Sequence, residues 1–212
     1  RKESDLLFSD YVDDLKIIIA AFRRDPRFDS ISILGHGEGS LVAAAALQGL
    51  PAKGLPVSFI ALSPQSVPVQ DLLREEVIPY GPEAIVEYER VLADLLADGN
   101  GEPLPEFLKT VFTPEMLGYW KTWMRYDPQE LYRSISVPIL LIRGSNETVS
   151  TQRDIERLTA VNQEALAIVV QGMNQVLKEG AGDQNSLFDS YLNTSEPLAG
   201  VLVSSIIDFV KK

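Results

Sequence analysis

The sequence predicts an α/β protein built on a mostly parallel sheet, and three observations carry that expectation. Short β-branched apolar runs recur at "ISILG" (31–35), "VSFIALS" (57–63), "VPILLIRG" (137–144) and "ALAIVVQG" (165–172). Helical patterns separate them, in the strand–helix–strand rhythm that builds parallel sheets. The 31–35 and 57–63 runs are apolar throughout rather than alternating, the pattern of strands buried on both faces.

Each element follows in order. "FSDYVDDLKIIIAAFRR" (8–24) reads as an amphipathic helix, with Ser9 or Asp10 near its start and Arg23 and Arg24 at its end. The loop "DPRFDS" leads into the 31–35 strand, and an Ala-rich helix is expected over 38–50. "PAKGLP" punctuates the chain before the 57–63 strand. After the 137–144 strand, a helix over 150–159 has Ser150 or Thr151 as its cap. The 165–172 strand follows. A helix over 198–210 closes the chain, and Lys211 and Lys212 suit its dipole.

Residues 67–131 differ in character. They carry helical patterns over 69–77, 82–96, 105–112 and 114–125, separated by breaks such as "ADGNGEP". They also concentrate aromatics: Tyr80, Phe107, Phe112, Tyr119, Trp120, Trp123 and Tyr126. Two readings fit, a helical insert in the α/β core or a second helical domain with an ordinary aromatic core. The expected organisation is a core over 1–66, a helical cap over 67–131 and the return of the core over 132–212.

Composition excludes several function classes. The chain has 212 residues, 45% apolar and 23% charged, as in ordinary globular proteins. A net charge of −11 argues against nucleic acid and against an anionic membrane surface. No apolar run approaches the ~18 residues of a membrane span. Without cysteine there is no disulfide, thiol nucleophile or thiolate metal site, and the compartment stays undetermined. With His36 as the sole histidine, a multi-histidine metal centre is excluded, and no cofactor is expected.

The most informative stretch is "GHGEG" (35–39), between an apolar strand and a helix. A nucleophile elbow, G-x-S-x-G, occupies this context: its outer glycines permit close approach, and its central residue is held in strained geometry. Here Gly37 stands where the serine belongs. The five residues by themselves fit a lost elbow or a plain Gly-rich turn. A phosphate cradle is disfavoured, because the spacing is not G-x-G-x-x-G and Glu38 would repel the phosphate.

Nearly end to end, the chain resembles the α/β-hydrolase superfamily, in particular bacterial serine-aminopeptidase-like or esterase-like members with a helical cap. "ESDLLFSDYVDDLKIIIAAFRRDPRFDSISILGHGEGSL" is similar to the helix, strand and elbow that read "GHSEGS" in such proteins. "ALSPQSVPVQDLLREEV" resembles the loop leading into the cap. "WMRYDPQELYRSISVPILLIRGSNETVS" resembles the return to the core and the strand carrying the acid. "QGMNQVLKEGAGD" resembles the base loop, which usually reads "MNHVLK".

The resemblance implies a partial α/β-hydrolase fold whose N-terminal strands are absent from this chain. A neighbour of the 31–35 strand would then come from the same polypeptide or from another chain, and residues 1–212 are not expected to fold well alone. It implies Gly37 at the nucleophile position, Glu147 at the acid position and Gln175 at the base position. The backbone N–H of Glu38 would be one oxyanion donor. Glutamine does not take a proton near neutral pH, although its amide could still donate to Glu147. His36 is expected to point into the fold. Ser40, Ser63 and Ser66 are nearby hydroxyls without a base, ordinary as a helix start, a strand end and a loop. The expected reaction class is acyl transfer on ester or amide substrates, disabled here. A pseudo-hydrolase that binds a hydrophobic ligand or a protein partner is the alternative. Tyr80, Tyr119, Trp120 and Trp123 suit an acyl, aryl or hydrophobic-peptide ligand, or else form the cap's own core.

Overall fold

The computed structural model describes residues 6–50, 57–180 and 184–211. Contacts divide the chain into two units, one of Leu15–Ser66 with Pro128–Lys212 and the other of Arg1–Asp14 with Val67–Asp127. The first helix, α1 (Phe8–Phe22), is shared between them.

The α/β unit is built on four parallel strands, β1 (Ile31–His36), β2 (Val57–Leu62), β3 (Ile139–Gly144) and β4 (Leu166–Val170), ordered β1-β2-β3-β4. β3 is buried along its whole length. The helix α2 (Glu38–Leu47) follows β1 and packs on β1 and β2. Its run Ala43–Ala44–Ala45–Ala46 is buried, and such small side chains let a helix lie close to a sheet. In the unit's other core cluster, Ile60, Leu62, Leu140, Ile142, Val170 and Met173 meet Ala199 and Leu202, the latter in the closing helix.

The expectation that the 31–35 strand is buried on both faces is not met. Ile33 and Gly35 are buried, whereas Ser32, Leu34 and His36 are exposed. The reason is position. β1 is an outer strand, and the cluster that covers one face of β2, β3 and β4 does not reach it. His36 therefore faces outward, not into the fold.

Helices α6 (Pro128–Ser134), α7 (Gln152–Val161), α8 (Gln184–Leu192) and α9 (Gly200–Val210) complete this unit. α7 starts two residues later than expected, because Thr151 is its cap. The Thr151 hydroxyl accepts from the Asp154 N–H while the Asp154 carboxylate accepts from the Thr151 N–H, a reciprocal capping box. α6 and α8 were not expected. Both are short, and α6 opens on Pro128, whose fixed φ suits a first helical position.

In the helical unit, α3 (Val69–Val77) and α4 (Pro82–Leu96) match expectation. Tyr88, Val91, Leu95, Leu108 and Phe112 form its core, and the Tyr88 hydroxyl donates to the Gln70 carbonyl at 2.5 Å. The helix expected over 105–112 is only a 3-10 turn at Glu106–Leu108, and the one over 114–125 is shortened to α5 (Leu117–Trp123). Pro114 biases Thr113 away from helical geometry, so neither short segment nucleates a longer helix across it.

Candidate active site

The parallel register brings four loops to one end of the sheet. Gly37 follows β1, Ser63 follows β2, Ser145 to Glu147 follow β3, and Gln175 follows β4. Ligand sites of open α/β sheets lie outside these carboxyl ends.

The turn at Gly37 is sharp and strained. Gly37 has φ 55 and ψ −121, a conformation side chains rarely adopt, and its N–H donates to the Leu62 carbonyl at 2.9 Å. The Ser40 N–H and hydroxyl both donate to the Gly37 carbonyl, at 3.0 and 2.6 Å. A Cβ at Gly35 would lie 2.3 Å from the Gly39 carbonyl oxygen, so the strand can meet the helix only as glycine. A Cβ at Gly37 would meet nothing within 4 Å. The turn is thus a strained strand-to-helix turn with open space where a side chain would stand. Glu38 is the first residue of α2.

Glu147 is buried, and one oxygen of its carboxylate is held by the residue that follows β2. Oε2 accepts from the Ser63 hydroxyl at 2.6 Å, and Oε1 lies 3.6 Å from Arg143 Nε without a hydrogen bond. Burial pushes the Glu147 carboxyl above its ordinary range, against the pull of the Ser63 hydroxyl. Arg143 itself donates to the carbonyls of Ser150 (3.1 Å) and Glu147 (3.4 Å).

Gln175 sits on the adjoining loop. Its Oε1 accepts from the Thr148 hydroxyl at 3.3 Å, and its Nε2 donates to the Tyr191 hydroxyl. The hydrogen bond from the Gln175 amide to Glu147 that the sequence allowed is not made: the Gln175 amide is engaged by Tyr191 and Thr148. The loop is fixed by Asn174, whose Oδ1 accepts from the N–H groups of Val176 and Lys178, each at 3.1 Å. Asn146 N–H donates to the Met173 carbonyl at 3.0 Å and holds the two loops side by side.

Ser63 and Ser66 read in the sequence as ordinary strand-end and loop hydroxyls. They belong to a buried polar network that pins the loop 63–66. The Ser66 N–H and hydroxyl donate to Asp154 Oδ1 (2.8 and 2.7 Å), and Ser150 Oγ donates to the Pro64 carbonyl at 2.7 Å. Burial raises the Asp154 carboxyl, but the donors on Thr151 and Ser66 outweigh it and leave it below its ordinary value. The capping spacing Thr151-x-x-Asp154 was the one readable signal of this network.

The aromatics of the helical unit pack mainly on one another. Trp120 and Trp123 stack at 5.3 Å, Phe8 stacks on Trp123 at 5.3 Å, and Tyr119 is buried edge-on against Phe8 and Trp123. Trp120 Nε1 donates to the Val111 carbonyl at 2.9 Å. Tyr80 differs, being 67% exposed while stacked on Phe107. Among the described residues, no three acidic or histidine side chains are grouped to hold a metal ion, and no helix is long and apolar enough to cross a membrane.

No family model matches the chain, and no curated protein matches it. Solved structures do. E-2-(acetamidomethylene)succinate hydrolase is similar over 91% of this chain and 75% of its own, with a TM-score of 0.50 and 17% identity. Porphyromonas gingivalis dipeptidyl peptidase 4 matches 86% of this chain at a TM-score of 0.47 and 13% identity. A Pyrococcus furiosus esterase matches 78% at 0.45 and 20% identity. The chain spans 21% of the peptidase and 53% of the esterase. Four parallel strands in this order, the strained turn after β1 and the match to the succinate hydrolase agree: the chain carries part of the α/β-hydrolase fold.

Proposed function

We propose that this protein is a relative of the serine hydrolases that act on ester or amide substrates, inactive in this form. Gly37 occupies the nucleophile position, Glu147 the acid position, Gln175 the base position, and the Glu38 N–H is an oxyanion donor. One observation carries the reading: the turn after β1 keeps φ 55 and ψ −121 with open space at Cβ, yet its residue has no side chain. A glycine cannot attack a carbonyl, and a glutamine cannot accept the proton. With two triad members replaced, only the residual rate from binding and oxyanion stabilisation would remain.

The exposed Tyr80 stacked on Phe107 supports the alternative use, binding of an apolar or aryl ligand without turnover. Tyr119, Trp120 and Trp123 are proposed as the support of that surface. The outer edge of β1 pairs with no strand among the described residues, and Leu34 beside it is 50% exposed. Both features support the reading that further strands, from the same polypeptide or another chain, complete the sheet.

The test is turnover of a panel of aryl esters, thioesters and aminoacyl amides, with binding of non-hydrolysable analogues measured calorimetrically. Binding without turnover is expected. Turnover by the native sequence, abolished by Glu147→Gln, would overturn the assignment of Gly37.

A further inference from the structure

We propose that Ser63 is a positioning residue for the acid: its hydroxyl anchors Glu147 through Oε2 and so reserves Oε1 as the acceptor for a side chain at position 175. The inference rests on the reading of Glu147 and Gln175 as acid and base positions.

Ser63 has φ 50, a left-handed conformation that non-glycine residues adopt only where the surrounding structure holds them. It is 2% exposed, and its N–H donates to the Ile142 carbonyl at 2.8 Å. That backbone directs the hydroxyl to Glu147 Oε2 at 2.6 Å. Arg143 does not form a paired fork on the carboxylate, because its donors go to the Ser150 and Glu147 carbonyls. Oε1 is buried and makes no hydrogen bond among the described residues; Arg143 Nε lies 3.6 Å away, an ion pair that leaves the oxygen able to accept a closer donor. The adjoining loop offers two places for that donor. Asn174 Nδ2 is buried and likewise lacks a hydrogen bond, and residue 175 is tied beside Thr148. An imidazole at 175 has the N–H such an acceptor requires. The titratable and charged groups around the pair are Arg143 at the carboxylate, Tyr191 of α8, whose hydroxyl meets the side chain at 175, and, on the 175 loop, Lys178 and Glu179. Lys178 Nζ is held on the Ser190 and Asn193 carbonyls.

The test uses the full polypeptide carrying Gln175→His and reads the titration of the imidazole at 175 by NMR. A carboxylate acceptor raises an imidazole pKa, here by about one unit. Glu147→Gln in the same background must abolish the shift. Ser63→Gly removes the hydroxyl while suiting φ 50, so the fold is retained; it should return the imidazole to its ordinary value of about 6.5. Ser63→Ala should do the same. A raised imidazole unchanged by Ser63→Gly overturns the role of Ser63 and leaves the acid and base positions standing. An imidazole not raised at all overturns the acid–base pairing and the proposal together, with Asn174 as the donor that takes Oε1.

Discussion

Gly35 and Gly37 stand two residues apart under different constraints. Gly35→Ala would drive a Cβ into the Gly39 backbone, which cannot swing away, and should cost about 3 kcal/mol or more, read from urea denaturation. Gly37→Ala meets open space and should cost only its backbone strain, about 1–3 kcal/mol. Equal losses would mean that the turn is not held as described. The two buried carboxyls should titrate with opposite sign. Glu147 is raised above its usual 4.5 in the folded protein, so the native state binds more protons there than the unfolded chain. Its contribution to stability is full below pH 4.5 and falls as pH rises through the native value. Asp154 is lowered below 3.8, so its contribution is present above that pH and is lost on acidification. Urea midpoints of Glu147→Gln and Asp154→Asn against the native protein, taken across this range, should diverge in opposite directions. The sequence pointed to Gly37, Glu147 and Gln175 as residues of interest through their order and flanking motifs. It did not reveal that Glu147 turns to Ser63, because a bond across 84 residues leaves no local pattern.

Elements were most legible where one signal decided them. The strands stood out as β-branched runs, and α3 and α4 as periodic segments bounded by Pro and Gly. The short helices α6 and α8, seven and nine residues long, carry too few turns for a period to show. The exposed face of β1 was illegible for another reason: burial depends on what packs against a strand, and its own residues do not record that. α7 ties element to site. Thr151→Ala removes the cap and should cost about 1 kcal/mol. Asp154→Ala also strips the acceptor from the Ser66 N–H and hydroxyl, and should cost about 3 kcal/mol. Chemical denaturation of both variants checks the ordering, and equal costs would show that the Ser66 bonds contribute nothing.

At the scale of the molecule, apolar surface is the telling quantity. Leu34 on β1, Ile17, Ile18 and Phe22 on α1, and Val201, Val203, Ile207 and Val210 on α9 are each 41–68% exposed. Apolar residues exposed at that density mark an interaction surface or an aggregation liability, and β1 adds an edge that pairs with no strand among the described residues. Residues 1–212 expressed alone should therefore self-associate with rising concentration in sedimentation experiments, and a soluble monomer that unfolds cooperatively would contradict this. The turn after β1 is proposed as a nucleophile elbow without its nucleophile. Fluorophosphonate labelling of the full polypeptide, with the modified residue mapped by mass spectrometry, tests it most directly. The native sequence should remain unlabelled, Gly37→Ser by itself should react negligibly, and Gly37→Ser with Gln175→His should label at position 37. Label on any residue of the native chain, or full reactivity from the single change, would contradict the account.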